Sequence, residues 1–345
     1  VRHLREVPPP APPAIHAQVS TPADVVLGSG REGLDAAIAP DEQSVVFVAV
    51  KDGTAELWRQ ALGGVGRADR IPGTQGASLP AWRPDSRALA FFADGQLKVL
   101  ALDTGAVTTV LPAPAPGGAA WLPDGALAVV PDTAGPVQQW QAGRATPLTT
   151  LGPDEAGHAF PRVDERGRLL YIAVSRTGTR TVHLVDAAGD HALTETSGHA
   201  ELQRGLLVHV RDQVLLAQRL DEAGTRLIGK STALATGVGT SERGRSLLAV
   251  SPRLLVWGPA TPHLSQLVWF DANGQRTNVA AEPGDYWQVR LSPDGRAAEP
   301  PKRASMFDLT LDTIHTPPPA TQNIQKTAHC TKLAKRPHNM HIGNS

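Results

Sequence analysis

The amino-acid sequence predicts an all-β chain made of one four-stranded antiparallel unit repeated around an axis, and three observations carry that expectation. Turn-forming residues are in excess, 33 Gly and 30 Pro among 345 residues, about 18% against the ~12% of average usage. A short turn phrase built on Pro and Asp returns every forty-odd residues, the spacing of a four-stranded blade. Five of the seven Trp hold fixed offsets from that phrase.

The phrase comes first at Ala39-Pro40-Asp41-Glu42-Gln43, before apolar Val45-Val46-Phe47-Val48. It returns at Arg83-Pro84-Asp85-Ser86-Arg87 before Ala88-Leu89-Ala90-Phe91-Phe92, and at Leu122-Pro123-Asp124-Gly125 before Leu127-Ala128-Val129-Val130. Weaker copies are Val163-Asp164-Glu165-Arg166-Gly167 before Leu169-Leu170-Tyr171-Ile172, and Ser251-Pro252-Arg253 before Leu254-Leu255-Val256-Trp257. Between them the copy expected near Val208-His209-Val210-Arg211-Asp212 has lost its Pro, and Ser292-Pro293-Asp294-Gly295-Arg296 closes the series. Pro40 and Pro293 are 253 residues apart, six steps of about 42.

Each copy makes sense as a hairpin turn. Pro fixes φ at the first corner, Asp accepts nearby backbone N–H groups, and Gly supplies a positive φ. Trp82 and Trp121 stand two residues before the Pro, on the incoming strand, where a large ring fills the wedge between neighbouring units. Trp58, Trp140 and Trp269 follow Pro40, Pro123 and Pro252 by 18, 17 and 17 residues, which places them on a third strand and in the blade core. A second phrase, Asp then Gly, marks the turn into a fourth strand: Asp103-Thr104-Gly105, Asp186 to Gly189, Asp221 to Gly224 and Asp271 to Gly274. A sheet of four such strands cannot bury both faces alone, and radial stacking solves this. The expected fold is a β-propeller over residues 34–298, of six complete blades plus the start of a seventh, a ring that the missing part leaves open. Residues 1–33 read as a Pro/Gly-rich linker cut from something longer, and residues 299–345 as a disordered or aberrant tail.

The rest of the sequence excludes more than it assigns. Lys and Arg equal Asp and Glu at 33 each, so no net charge attracts nucleic acid. Cys330 is the single cysteine, which rules out an intrachain disulfide. No run of 18 apolar residues is present, so a membrane enters only through a helix upstream of this segment. Gly28-Ser29-Gly30-Arg31-Glu32-Gly33 matches a glycine-rich nucleotide loop in letters, but it follows no convincing strand and opens no helix. His158, His183, His191, His199, His209 and His263 lack ligand spacing, and His329, Cys330, His338 and His341 fall in the tail; no metal site and no cofactor are expected. The nucleophile elbow Gly-x-Ser-x-Gly is absent, as are Val-Ala-Ile-Lys, His-Arg-Asp and Asp-Phe-Gly, so no catalytic residue is assigned and the segment is expected to be non-catalytic.

The Pro-Asp-Gly phrases resemble the WD40-like repeats of TolB-like propellers. More narrowly, Ala55-Glu56-Leu57-Trp58-Arg59-Gln60-Ala61-Leu62, Pro72-Gly73-Thr74-Gln75-Gly76-Ala77, Ala90 to Lys98, Leu215-Leu216-Ala217-Gln218 and Gln266 to Asp271 resemble the C-terminal propeller of bacterial eukaryotic-like serine/threonine kinases. That resemblance implies an extracytoplasmic sensor or protein-binding domain beyond a membrane helix, with a protein or a small envelope ligand as partner. The alternatives are a freestanding TolB-like periplasmic scaffold and the gating ring of a serine hydrolase.

Overall fold

In a computed structural model of the chain, residues 21–22, 24–28, 35–62, 67–241 and 243–258 are described with their side chains, and outside them only the backbone of a few short strands. No helix occurs among the described residues, so none there is long and apolar enough to cross a membrane.

The strands run in chain order. β1 is Ala17–Gln18, and the first blade holds β2 (Val25–Leu27), β3 (Ala36–Ile38), β4 (Ser44–Lys51), β5 (Thr54–Ala61) and β6 (Asp69–Arg70). Strands β2 and β3 share one edge of β4. Four antiparallel meanders follow. They are β7 to β10 (Ser78–Trp82, Ala88–Ala93, Gln96–Ala101, Val107–Pro112), β11 to β14 (Gly118–Trp121, Leu127–Val130, Gln138–Gln141, Arg144–Pro147), β15 to β18 (Glu155–Val163, Leu169–Ser175, Arg180–Asp186, Gly189–Glu195) and β19 to β22 (Ala200–Gln203, Leu206–Arg211, Val214–Leu220, Leu227–Thr236). The hairpin β23 (Leu248–Val250) and β24 (Leu254–Trp257) fills the remaining sector. Each blade's innermost strand packs on the next, and β23 lies between β19 and β3.

The second strand of every unit shows why the ring forms. On β4, Val45 and Phe47 pack towards β24 with Leu247 and Val256, while Val46 and Val48 pack towards the second blade with Leu89 and Phe91. On β8 the alternation continues, with Leu89 and Phe91 facing back and Ala90 and Phe92 facing forward with Leu127 and Val129. Successive side chains of a strand point to opposite faces, so a strand wedged between two neighbours reads as an unbroken apolar run. Phe47, Phe91, Phe92 and Tyr171 are all fully buried on this account.

The turn phrases fold as their chemistry requires. Asp41, Asp85, Asp124 and Asp164 each accept a backbone N–H two residues on, from Gln43, Arg87, Ala126 and Arg166, at 2.9–3.0 Å. Gly125 and Gly167 take the positive φ, and in the first two blades Glu42 and Ser86 take it instead. Pro40, Pro84, Pro123 and Pro252 are exposed at the turn tips.

Trp58 is buried on β5, and Trp140 is half-buried on β13. Trp82 and Trp121 lie on innermost strands, and each donates its indole N–H to the preceding blade, to the Ala37 carbonyl at 3.0 Å and the Ala81 carbonyl at 3.3 Å. Arg59 and Arg83 stack over these rings at 5.9 Å.

The blade count corrects the sequence expectation: there are five blades, not six with the start of a seventh. A turn phrase reports only the hairpin it closes. After Ser251-Pro252-Arg253 the hairpin β23–β24 forms, but its sheet continues with Thr310–Thr313 and then β1. The strand expected there, Val268–Phe270, pairs with Arg276–Val279. Because β23 already packs on β3, no sector remains for a seventh unit. The fifth turn also moves: it is Arg204-Gly205, a two-residue hairpin loop with φ of 50° and 70°. The turn residues Pro293, Asp294 and Gly295, the side chain of Trp269, the glycine-rich stretch beyond Gly28, His263 and Cys330 lie outside the described residues. So does most of the 1–33 linker and the 299–345 tail, apart from short strands such as Thr310–Thr313 and His338–Asn339.

Candidate ligand site at the mouth of the axis

All innermost strands run in the same sense, so their first residues gather at one end of the ring. Asp35, Leu79, Gly118, Phe160, His199 and Ser246, one from each sector, line an axial cavity of about 10 Å³, room for roughly one water. Leu79 and Phe160 reach the axis by the same device. Each sits at a register shift of its strand in the left-handed region, at φ of 51° and 52°. Bulky side chains rarely adopt that conformation, and a bulge that re-aims a side chain is a common feature beside binding sites.

Two ion pairs cross this end. The Asp35 carboxylate accepts the Leu79 backbone N–H at 2.9 Å and lies 3.3 Å from the Arg245 guanidinium. Arg162 donates to Glu201 at 2.7 Å, and His199 donates its Nε2–H to the Leu248 carbonyl at 2.8 Å. Burial first, and then the positive charge of Arg162, pulls the His199 imidazole down to about 3, against the Leu248 hydrogen bond. Burial likewise raises the Glu201 carboxyl, against the pull of Arg162. A neutral imidazole beside a buried ion pair can hold a water or a polar ligand atom at the axis.

Next to this narrow space a cavity of about 390 Å³ opens, within the size range of ligand sites. Its floor is apolar, with Ala115, Pro116, Ala156, Ala159, Phe160 and Val174, and Thr133 and Gly117 add polar backbone. Arg180, Arg243 and Arg245 complete the lining. The loop carrying Thr133 is drawn against β15 beside it. A Cβ on Gly157 would lie 1.8 Å from the Thr133 carbonyl oxygen, so only glycine permits this approach. His158 N–H donates to the Gly135 carbonyl at 3.0 Å in the same place.

Three further described histidines are tied into the fold. His158 bonds Thr149 at 2.7 Å and Glu155 at 2.9 Å, His183 bonds Asp190, and His191 bonds Asp186. Among the described residues no three His, Cys, Asp or Glu side chains gather as metal ligands would. The repeat residues singled out by sequence, such as Pro84, Asp85, Asp164 and Gly167, lie at the opposite end of the ring and build its turns. Sequence reasoning passed over Asp35, Arg162, Arg180, His199, Glu201, Arg243 and Arg245 as site residues. Arg162, Arg180 and Glu201 lie on strands outside the turn phrases, and Asp35, His199, Arg243 and Arg245 just before innermost strands; the short run Arg243-Gly244-Arg245 was the one local signal.

No protein-family model and no curated protein matches the chain. Solved structures do share its arrangement. TolB from Acinetobacter baumannii is 18% identical with a TM-score of 0.49, over 59% of this chain; the chain spans 55% of TolB's length. The gluconolactonase XC5397 from Xanthomonas campestris is 14% identical over 69% of this chain and 86% of its own, with a TM-score of 0.43. Virginiamycin B lyase from Staphylococcus aureus is 13% identical over 88% and 99%, with a TM-score of 0.45. These likenesses concern strand arrangement and bring no residue role to this chain. One expectation is corrected: a gluconolactonase and a lyase are among these similar structures, and the reading of this segment as non-catalytic is not confirmed.

Proposed function

We propose that this ring is a recognition module whose ligand, a protein segment or a small molecule of the cell envelope, seats in the cavity at the mouth of the axis. The observation that carries the reading is the convergence there of a cavity of about 390 Å³, two left-handed bulges and two ion pairs. Loops and strand ends held by a rigid ring are where such a scaffold can present recognition groups without disturbing its core. The phrase resemblance supports a finer reading, in which the chain is the extracytoplasmic end of a bacterial serine/threonine kinase. With equal numbers of acidic and basic residues, nucleic acid is not a partner in this reading.

The test is a fragment screen on methyl-labelled protein. Binding fragments should shift the methyl signals of Ala115, Ala156 and Val174, and Ala156→Trp, which fills the cavity, should abolish those shifts. Fragments that perturb only distant methyls, such as Leu100, would refute the site.

A further inference from the structure

The narrow axial space has room for about one heavy atom, and its lining fixes the chemistry of that atom. Resting on the recognition reading above, we infer that a single hydroxyl of the ligand enters this space while the apolar body of the same molecule fills the cavity beside it. The buried His199 ring lines the space. Its Nε2 faces the Leu248 carbonyl, an oxygen that only accepts, so Nε2 carries a proton. Burial and the charge of Arg162 keep the imidazole neutral, which leaves Nδ1 with a lone pair. No described residue donates to that Nδ1. A buried acceptor without a donor is costly, and a donor in the axial space relieves the cost.

Arg162 sets the second requirement. It lines the same space, and its Nε and Nη1 are committed to Glu201 at 2.7 Å and to the Pro161 carbonyl at 3.0 Å, which leaves the N–H groups of Nη2 to donate. The entering atom must therefore donate to His199 and accept from Arg162. A hydroxyl oxygen does both within the room of one water. An ammonium donates but cannot accept, and an ether oxygen accepts but cannot donate. A carboxylate has no proton to give and two oxygens to place. The two spaces meet at Phe160, which lines both, so one small molecule can occupy the apolar floor and the axis together. The ligand class is an alcohol on an aliphatic or aromatic body.

The probes are phenethyl alcohol, its methyl ether, ethylbenzene, phenethylamine and phenylacetate. Each is titrated against the full chain, with the methyls of Ala115, Ala156 and Val174 and the His199 ring nitrogens as readouts. Phenethyl alcohol should bind at least about tenfold more tightly than each of the others, and it alone should move the His199 Nδ1 signal while Nε2 stays in place. His199→Phe, which keeps a ring there but no acceptor, should bring the alcohol down to the affinity of its ether. Where that variant does not fold, the Nδ1 signal of the wild-type chain decides by itself. Any other probe binding as tightly as the alcohol overturns the inference, as does a preference for the alcohol that survives in folded His199→Phe. An alcohol that shifts the cavity methyls and leaves Nδ1 unmoved overturns it too. In these cases the recognition site stands; if no probe shifts the cavity methyls, both readings fail.

Discussion

Removal of the Glu42 carboxylate should loosen the ring at one particular seam. Glu42 belongs to the first turn of the first blade, yet its partners are 209 and 211 residues away: it accepts Ser251 Oγ–H at 2.7 Å and Arg253 N–H at 2.9 Å, and it pairs with the Arg253 guanidinium. These contacts join the first blade to the hairpin β23–β24. In Glu42→Ala the guanidinium returns to water, since its side chain is 69% exposed, and that loss is small. The buried Ser251 hydroxyl and the Arg253 N–H lose their acceptor, at about 1–3 kcal/mol for each donor left wholly dry. Water reaches part of this turn, so the expected total is about 2–3 kcal/mol, a fall in melting temperature of roughly 4–10 °C for a ring of this size. Urea unfolding followed by Trp fluorescence reports it, because Trp58 packs in the cluster shared with Leu247 and Val256 across the same seam.

The pH dependence of that effect has a definite sign. Burial alone would raise the Glu42 carboxyl, but the hydrogen bonds from Ser251 and Arg253 outweigh it and hold the carboxyl below its ordinary value. A depressed carboxyl stabilises the fold fully above the ordinary glutamate range, and that stability is lost as pH falls through the folded value. The gap between wild type and Glu42→Gln should therefore close on acidification. The control is Glu195→Ala, which breaks a 3.3 Å pair with Arg211 between side chains 61% and 49% exposed and should change nothing resolvable. If Glu42→Ala costs no more than Glu195→Ala, the seam is not held by these bonds.

Gly157→Ala should cost about 3 kcal/mol or more in equilibrium unfolding, because its Cβ would meet the Thr133 carbonyl, which is backbone and cannot rotate away. Gly143→Ala, at a left-handed turn position with φ of 80° and nothing within 4 Å, should cost about 1 kcal/mol, and equal costs would show that the close approach at Gly157 is not tight. His199, pulled down to about 3, should show flat ring signals in NMR from pH 8 to about 4.5. The unfolded chain takes up this proton near ~6.5, so neutral His199 stabilises the fold fully above that pH and progressively less as pH falls towards 3, by at most about 1.4 kcal/mol per pH unit. His199→Gln should flatten that slope, and a ring titrating above pH 5 would contradict the assignment.

Much of the architecture was legible because the repeat is local chemistry. Pro, Asp and a left-handed residue close a hairpin by themselves, and the runs after Gln43, Arg87 and Gly125 announce strands buried on both faces. The turns at Asp103, Asp186 and Asp221 also lie between third and fourth strands as read. The number of blades was not legible in the same way. Ser251-Pro252-Arg253 specifies β23–β24 but says nothing about which later segment supplies the next strand, and Thr310–Thr313 does so from beyond a stretch that carries its own turn phrase.

The candidate site lay outside the repeat altogether. Arg180, Arg243 and Arg245 come from the fourth blade and from the loop before β23, and nothing in their spacing relates them to Phe160 or Thr133. By itself, then, the sequence determined the unit: its turns, its strand alternation and the need for neighbours on both faces, all of which act over a few residues. Only the tertiary structure decided how many units surround the axis, where the first meets the last, and which charges share the mouth. Those depend on the angle at which packed blades meet, and each such contact joins residues far apart in the chain.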